Sequence, residues 1–253
     1  MLTTSHSRIF ILNTLIDNLT QSETLEYIDR RIRENIPLHH VVVNAGKIVD
    51  MQKDEKLRNS VNNSDLINAD GQAVVWASRF LGKPLKERVT GIDLMKKLIE
   101  LAAAKGYKVF FFGAREEVVK KVVEHYSGLY GESIVAGYRN GYFTPGEEEN
   151  IAREIAESGA QMLFVGIKSP VKENFLYRYR EILKPVPFIM GVGGSFDVIA
   201  GKVKRAPQWM QKNGLEWFYR FIQEPRRMWK RYLFGNTAFV WLVLKEKFSK
   251  KHP

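Results

Sequence analysis

Two runs in this chain, VFFFG at 109–113 and MLFVG at 162–166, are apolar throughout, rich in aromatic and branched side chains, and end in glycine. Such a run offers water no polar face, so it is expected as a strand buried on both sides. A strand of that kind needs a covering layer above and below it. The chain supplies both: short β-forming runs at 39–45, 65–69, 108–113, 133–138, 162–167 and 187–192 alternate with helical patterns at 46–62, 72–81, 91–105, 116–126, 145–158 and 171–183. The alternation predicts an α/β fold, a mostly parallel sheet with helices on both faces. Thr144 before Pro145, with acids at 147–149, marks one helix start: a hydroxyl cap, then a proline in the first turn. There is no internal repeat and no low-complexity linker.

Cysteine is absent, which excludes a disulfide framework and a thiolate metal site and fits a reducing cytoplasm. The first residues lack the basic start and long apolar run of a signal peptide. The longest apolar stretch, 234–244, is broken by Gly235, Asn236 and Thr237 and falls short of the roughly 20 residues that span a bilayer. No crossing of a membrane is expected. The net charge of +11 is unevenly placed, because residues 202–253 hold 13 Lys and Arg against three acids and so carry ten of those charges. The pattern therefore divides into a sheet-forming domain at 1–201 and a basic, tryptophan-rich helical appendage at 202–253. So concentrated a field attracts polyanions such as anionic lipid, pyrophosphate or nucleic acid.

In open α/β sheets ligands bind beyond the carboxyl ends of the strands. Gly113, Gly166 and the pair Gly193-Gly194 fall at such ends. Glycine there lets a backbone approach a diphosphate while helix N–H groups point at it, although each glycine alone is equally a tight-turn residue. Three such ends together favour a phosphate-bearing ligand. No G-x-G-x-x-G or P-loop pattern occurs, which argues against an NAD or ATP site. Two further ends, VVVNAG and LINADGQ, present Asn44 and Asp70-Gly71. Asp70 can accept the proton of a substrate hydroxyl, or simply cap a helix or form a turn. No Asp-x-Asp pair, histidine cluster or other ligand set is present, so no metal is expected; Lys, Arg and helix ends would have to offset diphosphate charge. His39 and His40 come early in a strand, away from the ligand end, and read as structural.

The stretch NADGQAVVWASRFLGKPLKERVTGIDL, an Asp-Gly followed by Gly-x-Asp-Leu, resembles the WecG/TagA/CpsF glycosyltransferases (glycosyltransferase family 26). FFFGA, VGIKSPVKENF and GVGGSFDVIAGKVKRAPQWMQKNGLEWFYRFIQEPRRMWKRYL are similar to the same family, so the resemblance covers about 42–233. It implies a Rossmann-like core, a UDP-sugar donor, inversion at the anomeric carbon, and a polyprenyl-diphosphate-linked saccharide as acceptor in cell-surface polysaccharide synthesis. It also implies a basic C-terminal appendage that meets the membrane and helps close the active site. Carried over, Asp70 is the general base. The residues expected to bind substrate are Asn44, Gly71, Gly113, Gly166, Lys172, Glu173, Gly193, Gly194, Asp197, Arg205, Arg220, Arg227 and Arg231. Two positions depart from the family. Pro170-Val171-Lys172-Glu173 replaces Pro-Lys-Gln-Glu, and Val42 stands where a threonine is common, so the transferred sugar is not assigned.

In the appendage a helix is expected from Pro207, with Trp209, Leu215, Trp217, Phe218, Phe221 and Ile222 as an apolar surface and Gly214 interrupting it at about 1 kcal/mol. Arg220, Arg226, Arg227, Lys230 and Arg231 follow. One reading is an amphipathic helix packed on the core with a solvated basic face. Another places the aromatics in a membrane interface, each Lys or Arg near anionic lipid adding about 1 kcal/mol. Arg220 and Arg227 also suit a diphosphate. The expected location is cytoplasmic, peripheral on the inner face of a bacterial membrane, with a homo-oligomer left open. Nucleic acid is not an expected partner, because the charge lies outside the sheet domain and no RRM, KH or helix-turn-helix pattern occurs. A nicotinamide oxidoreductase lacks its fingerprint. A catalytically inactive, membrane-binding relative remains the alternative.

Overall fold

The computed structural model describes residues 6–249, with the side chains of 227, 228 and 230–234 outside the description. The chain opens with an antiparallel hairpin, β1 (Arg8–Ile11) and β2 (Thr14–Asp17), followed by α1 (Gln21–Arg33). Next come β3 (Leu38–Val43), α2 (Ala45–Lys53), α3 (Glu55–Asn62), β4 (Leu66–Ala69), α4 (Gln72–Phe80) and α5 (Gly91–Lys105). The second half runs β5 (Val109–Gly113), α6 (Glu116–Tyr130), β6 (Val135–Arg139), α7 (Glu148–Glu157), β7 (Met162–Gly166), α8 (Val171–Arg178), β8 (Phe188–Gly191) and α9 (Ser195–Ile199). Three helices complete it: α10 (Gln208–Lys212), α11 (Glu216–Gln223) and α12 (Pro225–Ser249).

Six strands form one parallel sheet in the order β4-β3-β8-β7-β5-β6. All five residues of β5 and the first four of β7 are buried, as uninterrupted apolar runs require. On one face Phe111, Phe164 and Phe188 pack with Ile28 of α1, Leu98 of α5, Val119 of α6 and Phe196 of α9. On the other, Phe110, Phe112 and Leu163 meet Ile151 of α7 and Phe175 of α8. Beside them Val41 and Ile67 meet Ile48, Val61 and Val74 of α2, α3 and α4, together with Ile16 of the hairpin. Phe239 and Val243 of α12 enter this last cluster, so the final helix is packed on the sheet layer.

Three elements differ from the sequence expectation. The helix expected over 46–62 is two helices, because Asp54 adopts extended backbone and its side chain accepts the Leu57 N–H, capping α3. The helix expected from Pro207 is likewise two. Gly214 takes a left-handed φ of +71°, and a Cβ there would lie 2.7 Å from Gln72 Cγ of α4, so the turn between α10 and α11 rests on α4. The expected helix over 171–183 closes at Arg178. The hairpin and α1 lie outside the expected elements, although Thr20 and Glu23 form a capping box that was readable in the sequence.

The hairpin is tied to the sheet by Asp17, which is buried. It accepts from Arg8 Nε at 2.7 Å, pairs with His6, and accepts the Ile67 N–H of β4 at 2.6 Å. Removing the carboxylate strands a buried amide, the Arg8 guanidinium and the His6 ring. Asp17→Ala is expected to lower the unfolding free energy by about 3 kcal/mol, read as a lower urea midpoint at unchanged slope.

Candidate active site

The carboxyl ends of β3, β4 and β8 lie side by side. The segment leaving β3 enters α2 in the Val41 layer, whereas the segment leaving β8 carries Phe196 into the opposite layer. Adjacent backbones that part to opposite faces leave a crevice at the strand ends. Asn44, Asp70 and Gly193-Gly194 stand around it.

Asn44 caps α2 by accepting the Lys47 N–H at 3.0 Å. A Cβ on Gly71 would fall 3.1 Å from the Asn44 Cβ, so Gly71 is small because the two loops touch. Asp70 does not cap its own helix: the N-cap of α4 is Gly71, with no side-chain cap. The Asp70 Oδ1 instead accepts the Gly91 N–H at 3.0 Å, the first amide of α5. No other hydrogen bond reaches this carboxylate among the described residues, so its Oδ2 has no hydrogen-bond partner among them. Burial raises its proton affinity above the usual carboxylate range, against the Gly91 bond and the charge of Arg88. A carboxylate with one oxygen anchored, one available and raised basicity is built to accept a proton.

Beside it lies a buried charge cluster. Glu173, 1% exposed, holds Lys47 Nζ at 2.8 Å and Lys172 Nζ at 3.4 Å, both through Oε1, while its Oε2 has no partner. Burial would raise the Glu173 pKa, but the two ammonium groups drive it far below the carboxylate range. Lys172 is 5% exposed, and its chain crosses Gly191, where a Cβ would meet Lys172 Cε at 2.6 Å. Burial and the Lys47 charge bring Lys172 down to about 8, despite Glu173. Glu173 is thus taken up by Lys172 and Lys47, two cations that repel each other across it. Val42 packs near Gly91, at 3.6 Å from where its Cβ would be.

A second cluster sits past β8. Gly193 has φ +53° and open space where a side chain would be. A Cβ on Gly194 would lie 3.2 Å from an Arg220 terminal nitrogen and 4.0 Å from the Asp197 carboxylate. Arg220 Nε is buried with no hydrogen-bond partner. Gly113 and Gly166 are different, since protein atoms occupy their absent side chains. A Cβ on Gly113 would lie 2.5 Å from the Gly166 carbonyl carbon, and one on Gly166 would lie 2.6 Å from Phe196. Arg205 is bound bidentately to Asp93 at 2.5 and 2.7 Å and to Glu216 at 3.2 Å. Glu216 in turn holds Arg88 at 2.8 Å, which locks α11 to the start of α5. The side chains of Arg227 and Arg231 on α12 lie outside the described residues. His39 and His40 are held neutral, each brought down to about 4 by burial, and His40 Nε2 lies 2.9 Å from Asn68 Oδ1. Among the described residues no group of His, Asp or Glu is arranged as a metal site.

The family model described as "Glycosyl transferase WecG/TagA/CpsF family" matches residues 9–253. The chain belongs to that family. It is 37% identical over 240 residues to the N-acetylglucosaminyldiphosphoundecaprenol N-acetyl-beta-D-mannosaminyltransferase of Bacillus subtilis (strain 168), covering 95% of this chain and 89% of the relative. The enzyme of the same name from Bacillus spizizenii is 37% identical over 193 residues, 76% of this chain and 73% of the relative. This WecG/TagA/CpsF chain is thus a glycosyltransferase, and the α/β sheet expected from its apolar runs is the fold observed.

Three charged residues of this family member at the site escaped the sequence reading. Lys47 follows Asn44 by three positions in the first turn of α2. Arg88 lies within the family-like stretch and faces Asp70 from the loop before α5. Asp93 is the Asp of Gly-x-Asp-Leu, held by Thr90 and Arg205. Lys47 and Arg88 carry no local signal, because each acquires its partner from a distant segment, whereas Asp93 stands in the Gly-x-Asp-Leu motif without being read as a site residue.

Two predictions separate packing from binding here. Gly166→Ala forces Phe196 to move and is expected to lower stability by about 1–3 kcal/mol, a fall in melting temperature, with donor affinity by calorimetry unchanged once folded. Lys172 has a folded pKa below its unfolded one, so the unfolded chain binds more protons between about pH 8 and 10.5. The contribution of Lys172 to stability is then complete above that window and lost as pH falls through it. Urea unfolding of wild type should gain stability across the window, and Lys172→Gln should remove that gain.

Proposed function

We propose that this glycosyltransferase moves a sugar from a UDP-sugar to a polyprenyl-diphosphate-linked saccharide, with inversion at the anomeric carbon and Asp70 as general base. The observation that carries this reading is the Asp70 carboxylate at the end of β4, one oxygen anchored by the first amide of α5 and the other without a hydrogen-bond partner among the described residues. In the reaction the acceptor hydroxyl oxygen bonds to C1 of the sugar while Asp70 takes its proton. The bond from C1 to the diphosphate breaks on the opposite face, and UDP leaves with the electron pair. Arg220 lies beside Gly194, its buried Nε without a hydrogen-bond partner among the described residues, and suits the charge that develops on the departing diphosphate. The Arg205–Glu216–Arg88 ties hold α11 where Arg220 can reach that end.

The names of the two Bacillus relatives support a lipid-diphosphate N-acetylglucosamine as the acceptor class, and make UDP-N-acetylmannosamine the first donor to try. Lys172 in place of the family glutamine is the reason to try other UDP-sugars as well. The surface partner is an anionic membrane met by residues 202–253, which carry nearly all of the net charge. The charge of this segment supports a peripheral protein on the inner face of the cell membrane. No helix among the described residues is long and apolar enough to cross a bilayer.

With purified chain, UDP-sugars and a short-chain polyprenyl-diphosphate N-acetylglucosamine, we expect a disaccharide product by mass spectrometry. Asp70→Asn should cut turnover about 100- to 10,000-fold while leaving donor binding within about twofold. Turnover that survives this substitution would remove Asp70 from its role.

A further inference from the structure

Helix α4 begins at Gln72, directly after Asp70-Gly71, and has two faces. Val74, Val75, Ala77 and Ser78 are buried and fix it to the core. Opposite them Trp76 and Phe80, four residues apart and so one above the other, are 52% and 48% exposed. Two large aromatics on a rigid helix, left in water, ask for an apolar partner.

The surroundings say which. Residues 71–86 contain Arg79, Lys83 and Lys86 and no acid, Lys86 at the far end of the segment being paired with Glu23 at 2.7 Å. Lys247 of α12 donates to the Phe80 carbonyl at 2.7 Å and stands over its ring at 5.2 Å from the centroid. Gly214 seats the α10–α11 turn on the other end of the stripe, 3.4 Å from Trp76 to where its Cβ would be. Exposed aromatics ringed by cations match an anionic lipid interface, where rings enter the headgroup layer and cations meet phosphates.

We propose that Trp76 and Phe80 form a lipid-facing wedge, so that the sheet domain itself seats on an anionic bilayer and α4 sets the depth of Asp70. At 1.5 Å per residue, Phe80 lies about 12 Å along the axis from Gln72, a fixed strut between the membrane and the base. A lipid-linked acceptor holds its sugar just above the headgroups, so the strut presents the acceptor hydroxyl to Asp70. The role in catalysis rests on the lipid-linked acceptor proposed above; the wedge itself does not.

The test uses the full chain with vesicles of phosphatidylglycerol and phosphatidylcholine, and with phosphatidylcholine alone. Trp76→Gln/Phe80→Gln should lose about tenfold in partition to the anionic vesicles, and brominated lipid should quench wild type more than Trp76→Phe. In those vesicles KM for a long-chain acceptor should rise about tenfold, while transfer to a water-soluble short-chain acceptor stays unchanged. A melting temperature equal to wild type shows that the surface alone was altered. Unchanged partition and quenching overturn the wedge. So does a concentration-dependent dimer in ultracentrifugation that the double variant abolishes without any vesicle effect, for then the face meets a second copy. If wild type uses neither acceptor yet the variant still loses vesicle binding, the proposed reaction fails and the wedge stands.

Discussion

Parallel strands in one sheet all end on the same edge, and everything chemical in this chain depends on that. The six strands bring Asn44, Asp70 and Gly193-Gly194 to one rim although they lie about 150 residues apart in sequence. Because α2 leaves β3 on one side and α9 leaves β8 on the other, the rim opens between them instead of closing into a packed corner. The glycines of β5 and β7 serve the same architecture by a different route. Gly113 and Gly166 let two neighbouring strand ends, and Phe196 beyond them, come closer than any side chain allows. Glycine at a strand end thus means open space in one case and crowding in the other.

The rim is electrically unusual. Glu173 shares one oxygen between two lysines and leaves the other unpaired in a buried setting, a cluster with one positive charge in excess next to Asp70. A buried imbalance of this size is costly unless a neighbour compensates it. Asp70 is the neighbour that can, and its ionised form gains from Lys47 and Arg88 while burial opposes it. The base and the cluster are therefore coupled, and substitution at Lys172 touches both folding and proton affinity.

The basic appendage is not held by its own hydrophobic contacts alone. Asp93, Arg205, Glu216 and Arg88 form a chain of ion pairs, each partly buried, from the start of α5 to the start of α11. Phe239 and Val243 then fasten α12 in the core layer. Between those anchors Trp209, Trp217 and Ile222 stay exposed, as do Trp76 and Phe80 on the neighbouring α4. Tying the polar ends down while leaving the aromatics out is the opposite of what burial alone would select.

Much of this was written locally. Uninterrupted apolar runs required two-sided burial and hence a parallel α/β sheet, and the Asp-Gly, Gly-x-Asp-Leu and long tail motifs carried the family. Periodicity is a property of neighbouring residues, so it survives in a bare sequence. What tertiary structure alone decided was every pairing across distance: that Asp70 anchors on α5 instead of capping α4, that Gly113 and Gly166 are packing glycines, that Glu173 is shared by Lys172 and Lys47, and that Arg205 is taken up by Asp93 while the buried Arg220 Nε has no hydrogen-bond partner among the described residues. Those outcomes depend on which strand ends become neighbours, and strand order in a parallel sheet is set by long-range packing that no local pattern encodes.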